Sequence, residues 1–444
     1  METTENITAV NNHPKPKKRI SEDEINGISR FSFVVYLYFI VDFLLHFSAR
    51  IPGYGMLQPT LIGFLVIALS LFFQKEKIEH VTQDPIFKAI MALLIYIMLS
   101  LPFVEWPGSV VKNNLENFVK ATAFFFFTAM IIDTRKRLCI FLFFFIGCQT
   151  FRALEPLYLH LTTGYMGSVT YISPGEFAGR LSGAPADVVN PNGLGFVIVT
   201  IIPFLHYLLF KANKKGAFLY FCLLPLLLYA LMLTQSRGAF LGLLVVAWII
   251  FLKSRHKILM IMVFVIISAT GWNLMTPIQK DRYMSLVDKD AESASSVDGR
   301  ISLILHEFQL GFERPIVGHG LGTTIEAKVH SWRKQQASHN LYGQLLIEIG
   351  LIGAILFFRF LWQIYKCFKQ NNLFLKQVAN QKDFDFFLRL NQAMIAVFWM
   401  YVVYSVNYYG LSQYYWYLFG GLALAVGRLL KKYPAYPELT PETE

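Results

Sequence analysis

The sequence contains few of the residues that form disulfides. Only four of its 444 residues are cysteine, at Cys139, Cys148, Cys222 and Cys367. All four lie in or beside apolar runs, none belongs to a Cys-X-X-Cys pair, and the longest polar loop contains none. We therefore expect no structural disulfide and interpret the four side chains as small buried hydrophobic groups.

Recognisable metal and phosphate-loop motifs are also missing. The histidines of the long polar loop, His306, His319, His330 and His339, match no zinc-ligand spacing, and no Cys or Asp-X-Asp accompanies them. The glycine-rich stretch Gly318–Gly322 lacks the Gly-Lys-Ser/Thr of a phosphate-binding loop, so we interpret it as a turn. The sequence thus predicts neither a metal ion nor an organic cofactor.

Charged residues are scarce, and the chain contains long apolar runs instead. Charged residues make up 16% of the chain and hydrophobic ones 55%, with 41 Phe and 22 Tyr. Repeated uncharged runs of about 20 residues are typical of membrane-spanning helices. The formal net charge of +11 comes mostly from short loops on one predicted side, which is the positive-inside bias, so we expect membrane lipids around the chain and no nucleic-acid partner.

We predict an all-α polytopic membrane protein with about twelve spans. Basic residues recur in every second loop, which places both termini in the cytoplasm. Residues 1–30 and 431–444 are predicted to be a disordered cytoplasmic segment and a cytoplasmic tail, with one transmembrane domain at 31–430 between them. The predicted spans are 31–48, 57–73, 86–104, 117–132, 138–158, 191–210, 217–234, 237–252, 258–273, 339–362, 388–408 and 413–430.

Two external loops are long, 159–190 and 274–338. The second lies between the ninth and tenth predicted spans and is the largest water-facing segment, so we expect it to carry any chemistry. Within it, Arg300–Phe312 has helical apolar spacing after Asp298, a plausible N-cap. This predicts an amphipathic helix, either over a cavity or as a simple packing element.

Three inward-running spans begin with polar capping residues. Free amides and partial positive charge make each helix N-terminus an anion site. If the three starts converge beside Arg180, Arg237 and Arg300, the site suits a phosphate or diphosphate. The starts are Asn190-Pro191-Asn192, Ser236-Arg237 and Ser338-His339-Asn340.

His339 is the candidate general base. A helix N-terminus and neighbouring arginines both disfavour imidazolium, which leaves a neutral ring able to accept a proton. The alternative for His339 is an ordinary surface histidine at a helix start, and for Arg237 it is an interfacial side chain that reaches water.

An ordered set of short motifs over 170–355 resembles the O-antigen ligase and polymerase superfamily of bacterial envelope glycosyltransferases. No single motif is specific, but the order and spacing follow the family. The motifs are Gly179–Gly183, Asn190–Asn192, Gln235–Gly238, Asp298–Arg300, Gly318–Gly322, Ser338–Asn340, and Glu348–Gly350 with Gly353.

The resemblance implies a multi-helical glycosyltransferase of the GT-C type. Its donor would be a polyprenyl-diphosphate-linked glycan, used with inversion and without a metal. Arg237 and Arg300 would bind the diphosphate, with Arg180 as a third cation, and His339 would activate the acceptor hydroxyl. The polar residues at the helix starts would support them: Ser236, Ser338, Asn340, Asn190 and Asn192.

The acceptor stays open at this point. Lipid A–core would make the protein an O-antigen ligase, a second lipid-linked glycan a polymerase, and a protein serine an oligosaccharyltransferase. The expected place is the periplasmic face of the bacterial inner membrane. A polysaccharide transporter without chemistry is the contrasting hypothesis, and it predicts polar residues along a path through the bilayer rather than on one face.

Overall fold

The computed structural model describes residues 27–173, 176–285, 288, 295–333, 335, 337–378, 382–408 and 410–433. Most of the predicted N-terminal segment and C-terminal tail lies outside these residues. The expectations that both are disordered and cytoplasmic therefore stay predictions.

The described chain is almost entirely helical. Its longer helices are α1 (Arg30–Leu45), α2 (Pro59–Phe72), α3 (Pro85–Ser100), α4 (Leu115–Ile131), α5 (Arg135–Thr163), α6 (Pro191–Phe204), α7 (Lys214–Thr234), α8 (Arg237–Lys253), α9 (Lys257–Leu274), α10 (Pro277–Met284), α11 (Ser295–Glu313), α12 (Thr324–Trp332), α13 (Leu341–Gln377), α14 (Lys382–Tyr404) and α15 (Tyr414–Lys431). Short helical segments are Phe47–Arg50, Tyr54–Leu57, Lys75–Ile78, Glu79–Val81, Leu101–Phe103, Pro107–Ser109, Val110–Asn114 and Leu205–Phe210. An antiparallel hairpin of β1 (Gly167–Ser173) and β2 (Glu176–Leu181) completes the list.

Each predicted span overlaps one of these helices, but α13 ends at Gln377 rather than at 362, and α14 begins at Lys382 rather than at 388. Eight helices of the described chain are long and apolar enough to cross a membrane: α2, α3, α5, α6, α7, α9, α13 and α14, some with an adjoining helical turn. The other four predicted spans are α1, α4, α8 and α15, which have 16 to 18 residues. The all-α polytopic membrane fold is thus confirmed, and the count of twelve stays a prediction.

The core lies around α6 and α15. In α6 every residue except Asn192 is buried, which is possible because nearly all are apolar or small. Gly195 lets α6 approach α8 closely, since a Cβ there would lie 2.5 Å from Cβ of Ala239. By contrast α9 buries none of its residues, so its apolar side chains face the lipid.

The described part of the long polar loop, 274–338, contains three helices, α10, α11 and α12. The predicted amphipathic helix is present as α11, but it begins at Ser295. Asp298 is therefore inside the helix, and its assignment as the N-cap is wrong. The mixture of capping residues in 295–298 left the first turn ambiguous in the sequence.

A break in α13 fixes the glycine-rich loop. Gly350 has φ 63° inside this 37-residue helix, so the carbonyls before it lose their usual partners. The amides of His319 and Gly320 donate to the carbonyls of Ile347 and Glu348 at 2.7 and 3.0 Å. Gly318, Gly320 and Gly322 all have positive φ, which confirms the predicted turn.

All four cysteines are free, as expected from the sequence. Cys148 is buried and Cys367 is partly buried, but Cys139 and Cys222 are exposed. The interpretation of all four as buried groups is therefore wrong for these two, because the long apolar helices that carry them each present one face away from the bundle.

Candidate functional site

Two of the three predicted helix starts have the predicted caps. Asn190 Oδ1 accepts from the amide of Gly193 at 2.8 Å, with Pro191 in the first helical position of α6. Ser236 Oγ accepts from the amide of Ala239 at 3.3 Å and caps α8. Each side chain satisfies one of the amides that a helix start leaves without a partner.

The third start is shifted by two residues. Helix α13 begins at Leu341, and its cap is Asn340, whose Oδ1 accepts from the amide of Tyr342 at 3.0 Å. Ser338 instead accepts from the amide of Asn340 at 3.1 Å and forms the turn before the helix. His339 thus lies in the loop that leads into α13, and its placement at the first helical position is wrong, because Glu307 binds the Ser338 hydroxyl and Asn340 caps the helix.

All three starts meet the C-terminal end of α14. The hydroxyl of Tyr404 donates to the carbonyl of Asn192 at 2.6 Å, which ties α14 to α6. One residue later, the carbonyl of Ser405 accepts from the amide of Leu341 at 2.9 Å, which ties α14 to α13. Since Gly195 also holds α6 against α8, the three positive helix ends share one side of the bundle.

Arg180 connects the β-hairpin to these helix ends. The side chain is buried and extends from β2 to the junction of α7 and α8. Its Nε donates to the carbonyl of Thr234 at 2.8 Å, and its Nη2 donates to Asn192 Oδ1 at 3.0 Å and to the carbonyl of Gln235 at 3.5 Å. Neutral oxygens therefore hold this guanidinium at the site.

Arg282, in α10, was not predicted as a site residue. Its buried Nε donates at 3.0 Å to the carbonyl of Gln235, the same oxygen that Arg180 approaches. Gln235 has a left-handed backbone, φ 49°, which turns this carbonyl away from the helix at the α7–α8 junction. In the sequence, Arg282 is an arginine in the first short helix of the polar loop. Such arginines are common on protein surfaces, so the sequence does not mark Arg282 as a site residue.

Arg237 lies beside the same short helix. Its Nη1 donates to Ser285 Oγ at 2.8 Å, and Ser285 Oγ donates to the carbonyl of Arg282 at 2.8 Å. Arg237 is 5% exposed. The alternative of an interfacial side chain that reaches water is thus excluded by its burial at a helix start.

The arginines act on one another electrostatically. Burial lowers the pKa of Arg180 to about 9, with further lowering by the positive charges of Arg282, Arg300 and Arg237. Burial and the charge of Arg300 likewise lower the pKa of Arg282, and burial lowers that of Arg300. We call these four residues, Arg180, Arg237, Arg282 and Arg300, the arginine cluster. Such repulsion shows a site with a strongly positive potential, which an anion would relieve.

The positive charge of the arginine cluster also acts on His339. Its side chain is exposed to solvent, yet the surrounding loop removes part of the water around the ring. This desolvation lowers the pKa of His339 below 6.5, and the charges of Arg300 and Lys328 lower it further. The imidazole is therefore mostly neutral near pH 7 and able to accept a proton.

The other loop histidines have different surroundings. His319 is buried, with Nδ1 2.5 Å from Glu105 Oε2 and Nε2 3.2 Å from the carbonyl of Leu310, so it holds the glycine-rich loop. His306 and His330 are exposed and pack against Trp332 and Trp106. Within the described ranges no three His, Cys, Asp or Glu side chains come together as metal ligands.

The site thus combines four guanidinium groups, three helix N-termini and one neutral imidazole. Guanidinium forks and helix amides bind phosphate oxygens well, and an imidazole removes a proton from a hydroxyl. The arrangement therefore suits a reaction in which an anionic group leaves and a hydroxyl attacks.

A known protein family matches part of the chain. A family model described as Wzy_C, O-antigen ligase, matches residues 220–358, which extend from α7 into α13 and include Arg237, Arg282, Arg300 and His339. No curated protein matches the chain. The match supports an enzyme of the O-antigen ligase or polymerase type that acts on lipid-linked glycan and acceptor substrates. The chain is therefore a polytopic membrane protein whose residues 220–358 match the O-antigen ligase superfamily.

Proposed function

We propose that the protein transfers an oligo- or polysaccharide from a polyprenyl diphosphate to an acceptor hydroxyl, with lipid A–core as the acceptor of an O-antigen ligase. The reaction takes place at the periplasmic face of the bacterial inner membrane, with inversion at the sugar and without a metal. The observation that carries the proposal is the arginine cluster. Its members Arg180, Arg237 and Arg282 are buried beside the starts of α6 and α8, and the charge of its fourth member, Arg300, acts on His339.

Each group has one task in this reaction. Arg237 and Arg300 hold the diphosphate, Arg180 and Arg282 add positive charge on the side of the hairpin, and the amides of α6 and α8 face the same anion. The acceptor oxygen attacks the anomeric carbon while the bond from that carbon to the diphosphate oxygen breaks. His339 takes the hydroxyl proton, and the diphosphate leaves with its new charge stabilised by preorganised cations.

The polar helix-start residues support this site. Asn190 and Ser236 cap α6 and α8, and Asn192 holds Arg180. Ser338 and Asn340 shape the loop that presents His339.

The direct test is glycan transfer by purified His339→Ala. We expect turnover to fall by roughly 10²–10⁴-fold, because the attacking hydroxyl loses its general base. Donor affinity stays near the parent value, since arginines and amides bind the diphosphate. In the parent protein, turnover falls as the pH drops through the His339 pKa, which is below 6.5, because protonation removes the base.

The exposed His306 is the matched control, and His306→Ala is expected to behave like the parent protein. His319→Ala is a poor control because His319 is buried and holds a loop. Full activity of His339→Ala would refute the proposed role of this residue.

The acceptor is identified in the same assay by offering three acceptors. Transfer to lipid A–core supports the ligase, and transfer to a second lipid-linked glycan supports the polymerase. Transfer to a protein serine supports the oligosaccharyltransferase. Binding of donor without transfer to any of them would favour a transporter.

A further inference from the structure

A fully buried ion pair lies directly behind the His339 loop. Glu307 of α11 and Lys328 of α12 are both 0% exposed, and Lys328 Nζ is 2.6 Å from Glu307 Oε1. Neither residue belongs to the arginine cluster. Removing two charges from water costs several kcal/mol per ion, so a buried pair of this kind is weak evidence for stability alone.

Both members of the pair hold the residues that precede His339. Ser338 Oγ donates to Glu307 Oε2 at 2.9 Å, and Lys328 Nζ donates to the carbonyl of Ala337 at 3.3 Å. Each oxygen of the carboxylate thus has a separate partner, one in α12 and one in the loop. The pair fixes residues 337 and 338 immediately before the imidazole-bearing residue.

Glu307 also contacts the helix that follows the loop. A Cβ added to Gly343 would lie 3.0 Å from Glu307 Oε2, so the first turn of α13 packs directly on the carboxylate. The short loop between Ala337 and Leu341 is therefore held on both sides by one side chain. An imidazole carried by such a loop keeps its position, which general-base catalysis requires.

We propose that Glu307, oriented by Lys328, is a positioning residue that acts through Ser338 to aim His339 at the acceptor hydroxyl. This inference rests on the proposed function. The alternative is a purely structural ion pair that joins α11 to α12. The positioning role and the structural role predict a different kcat for a variant that keeps the ion pair but loses the contact between Glu307 and Ser338.

Ser338→Ala makes that separation. It removes the hydroxyl from Glu307, together with the bonds of that hydroxyl to the backbone of Asn340, but leaves the ion pair in place. We expect the kcat for glycan transfer to fall by roughly 10²-fold, because a misplaced catalytic group costs about that much. The donor KM and the thermal stability in detergent stay near the parent values.

The chain offers a matched control on the same two helices. Ser331 Oγ of α12 donates to Glu313 Oε2 of α11 at 3.2 Å, but this serine–glutamate contact is exposed and involves no residue of the His339 loop. Ser331→Ala is expected to have the parent kcat. A parental kcat in Ser338→Ala, or a loss confined to donor KM, would overturn the inference.

A second variant removes the ion pair without leaving a buried charge. In the double variant Glu307→Met with Lys328→Met, two apolar side chains of similar length replace the pair, which preserves packing. We expect its kcat to fall as in Ser338→Ala, with little further loss when Ser338→Ala is added, because the changes break the same connection. A folded double variant with parental kcat would also overturn the inference.

His339→Ala is measured in parallel to separate the two proposals. If it is fully active, the proposed function of His339 fails. If it is inactive while the Ser338 and double variants work normally, only the positioning role fails.

Discussion

Buried arginine side chains in this protein have two opposite kinds of partner, as Arg152 and the arginine cluster show. Arg152 of α5 is neutralised by Asp187, with Nε–Oδ2 at 2.6 Å and Nη2–Oδ1 at 2.9 Å, and Nη1 donates to Gln149. In the arginine cluster, Arg180 and Arg282 donate instead to backbone carbonyls and an amide oxygen. In both cases hydrogen bonds satisfy the buried guanidinium groups. Only the arginine cluster keeps a positive potential that can attract an anionic ligand.

The kind of partner distinguishes a structural arginine from one that can bind a ligand. A bidentate carboxylate satisfies a guanidinium and cancels its charge, so the Arg152–Asp187 pair joins α5 to the loop after β2 and offers nothing to an anion. A carbonyl orients a guanidinium without cancelling its charge. Replacing a carboxylate partner by a neutral one, or a neutral partner by a carboxylate, therefore tests this comparison.

The largest effect is expected from Asp187→Asn. The substitution removes the counter-charge of Arg152 where the two side chains are 5% and 2% exposed, leaving a buried cation without compensation. We expect a loss of about 3–5 kcal/mol in the free energy of unfolding, measured by denaturant titration in detergent. Asp385→Asn should cost far less, because the Asp385 side chain that pairs with Arg389 is 57% exposed. Equal losses would show that burial does not distinguish the pairs.

The converse change places a carboxylate in the arginine cluster. Asn192→Asp retains the oxygen that accepts from Arg180 but cancels its charge and repels a diphosphate. We expect donor affinity to fall by roughly 10–100-fold with no loss of stability. The control is Asn213→Asp, the same change at the exposed start of α7. Unchanged donor affinity in Asn192→Asp would exclude Arg180 from the diphosphate site.

A smaller effect is expected from Arg282→Lys, which keeps the charge and removes the planar fork. Lysine cannot both donate to the Gln235 carbonyl as Arg282 does and present two parallel N–H groups to a phosphate. We expect roughly tenfold weaker donor binding, measured with the lipid-linked donor in nanodiscs. Arg255→Lys, in the exposed loop between α8 and α9, serves as the control. Parental affinity in Arg282→Lys would reduce Arg282 to a structural role.

Much of this fold is predictable because its signals are local. Apolar runs of about 20 residues mark the long helices, and Asn190-Pro191 and Ser236 mark two helix starts by their own hydrogen-bonding chemistry. The third start was misplaced because Ser338 and Asn340 are both good caps. Which of the two caps α13 depends on Glu307, some thirty residues earlier, which binds Ser338.

The remaining features depend on distant contacts. The break at Gly350 exists because the loop around His319 supplies amides to the opened helix, and no residue near Gly350 indicates that partner. Arg282 becomes a site residue only because α10 folds back onto the α7–α8 junction. The hairpin of β1 and β2 likewise has no local signal in the sequence, because it depends on the pairing of two separate segments within the loop 159–190.

The carbonyls that hold the arginines have a consequence for the entropy of donor binding. A free arginine on a protein surface must give up its rotamers when it closes on a phosphate, at a cost of about 0.5–1.5 kcal/mol for each such side chain. Arg180 and Arg282 are already held at Thr234 and Gln235, with their remaining N–H groups in fixed directions. These two side chains are therefore ordered when the chain folds, and the diphosphate of the proposed donor would not have to order them.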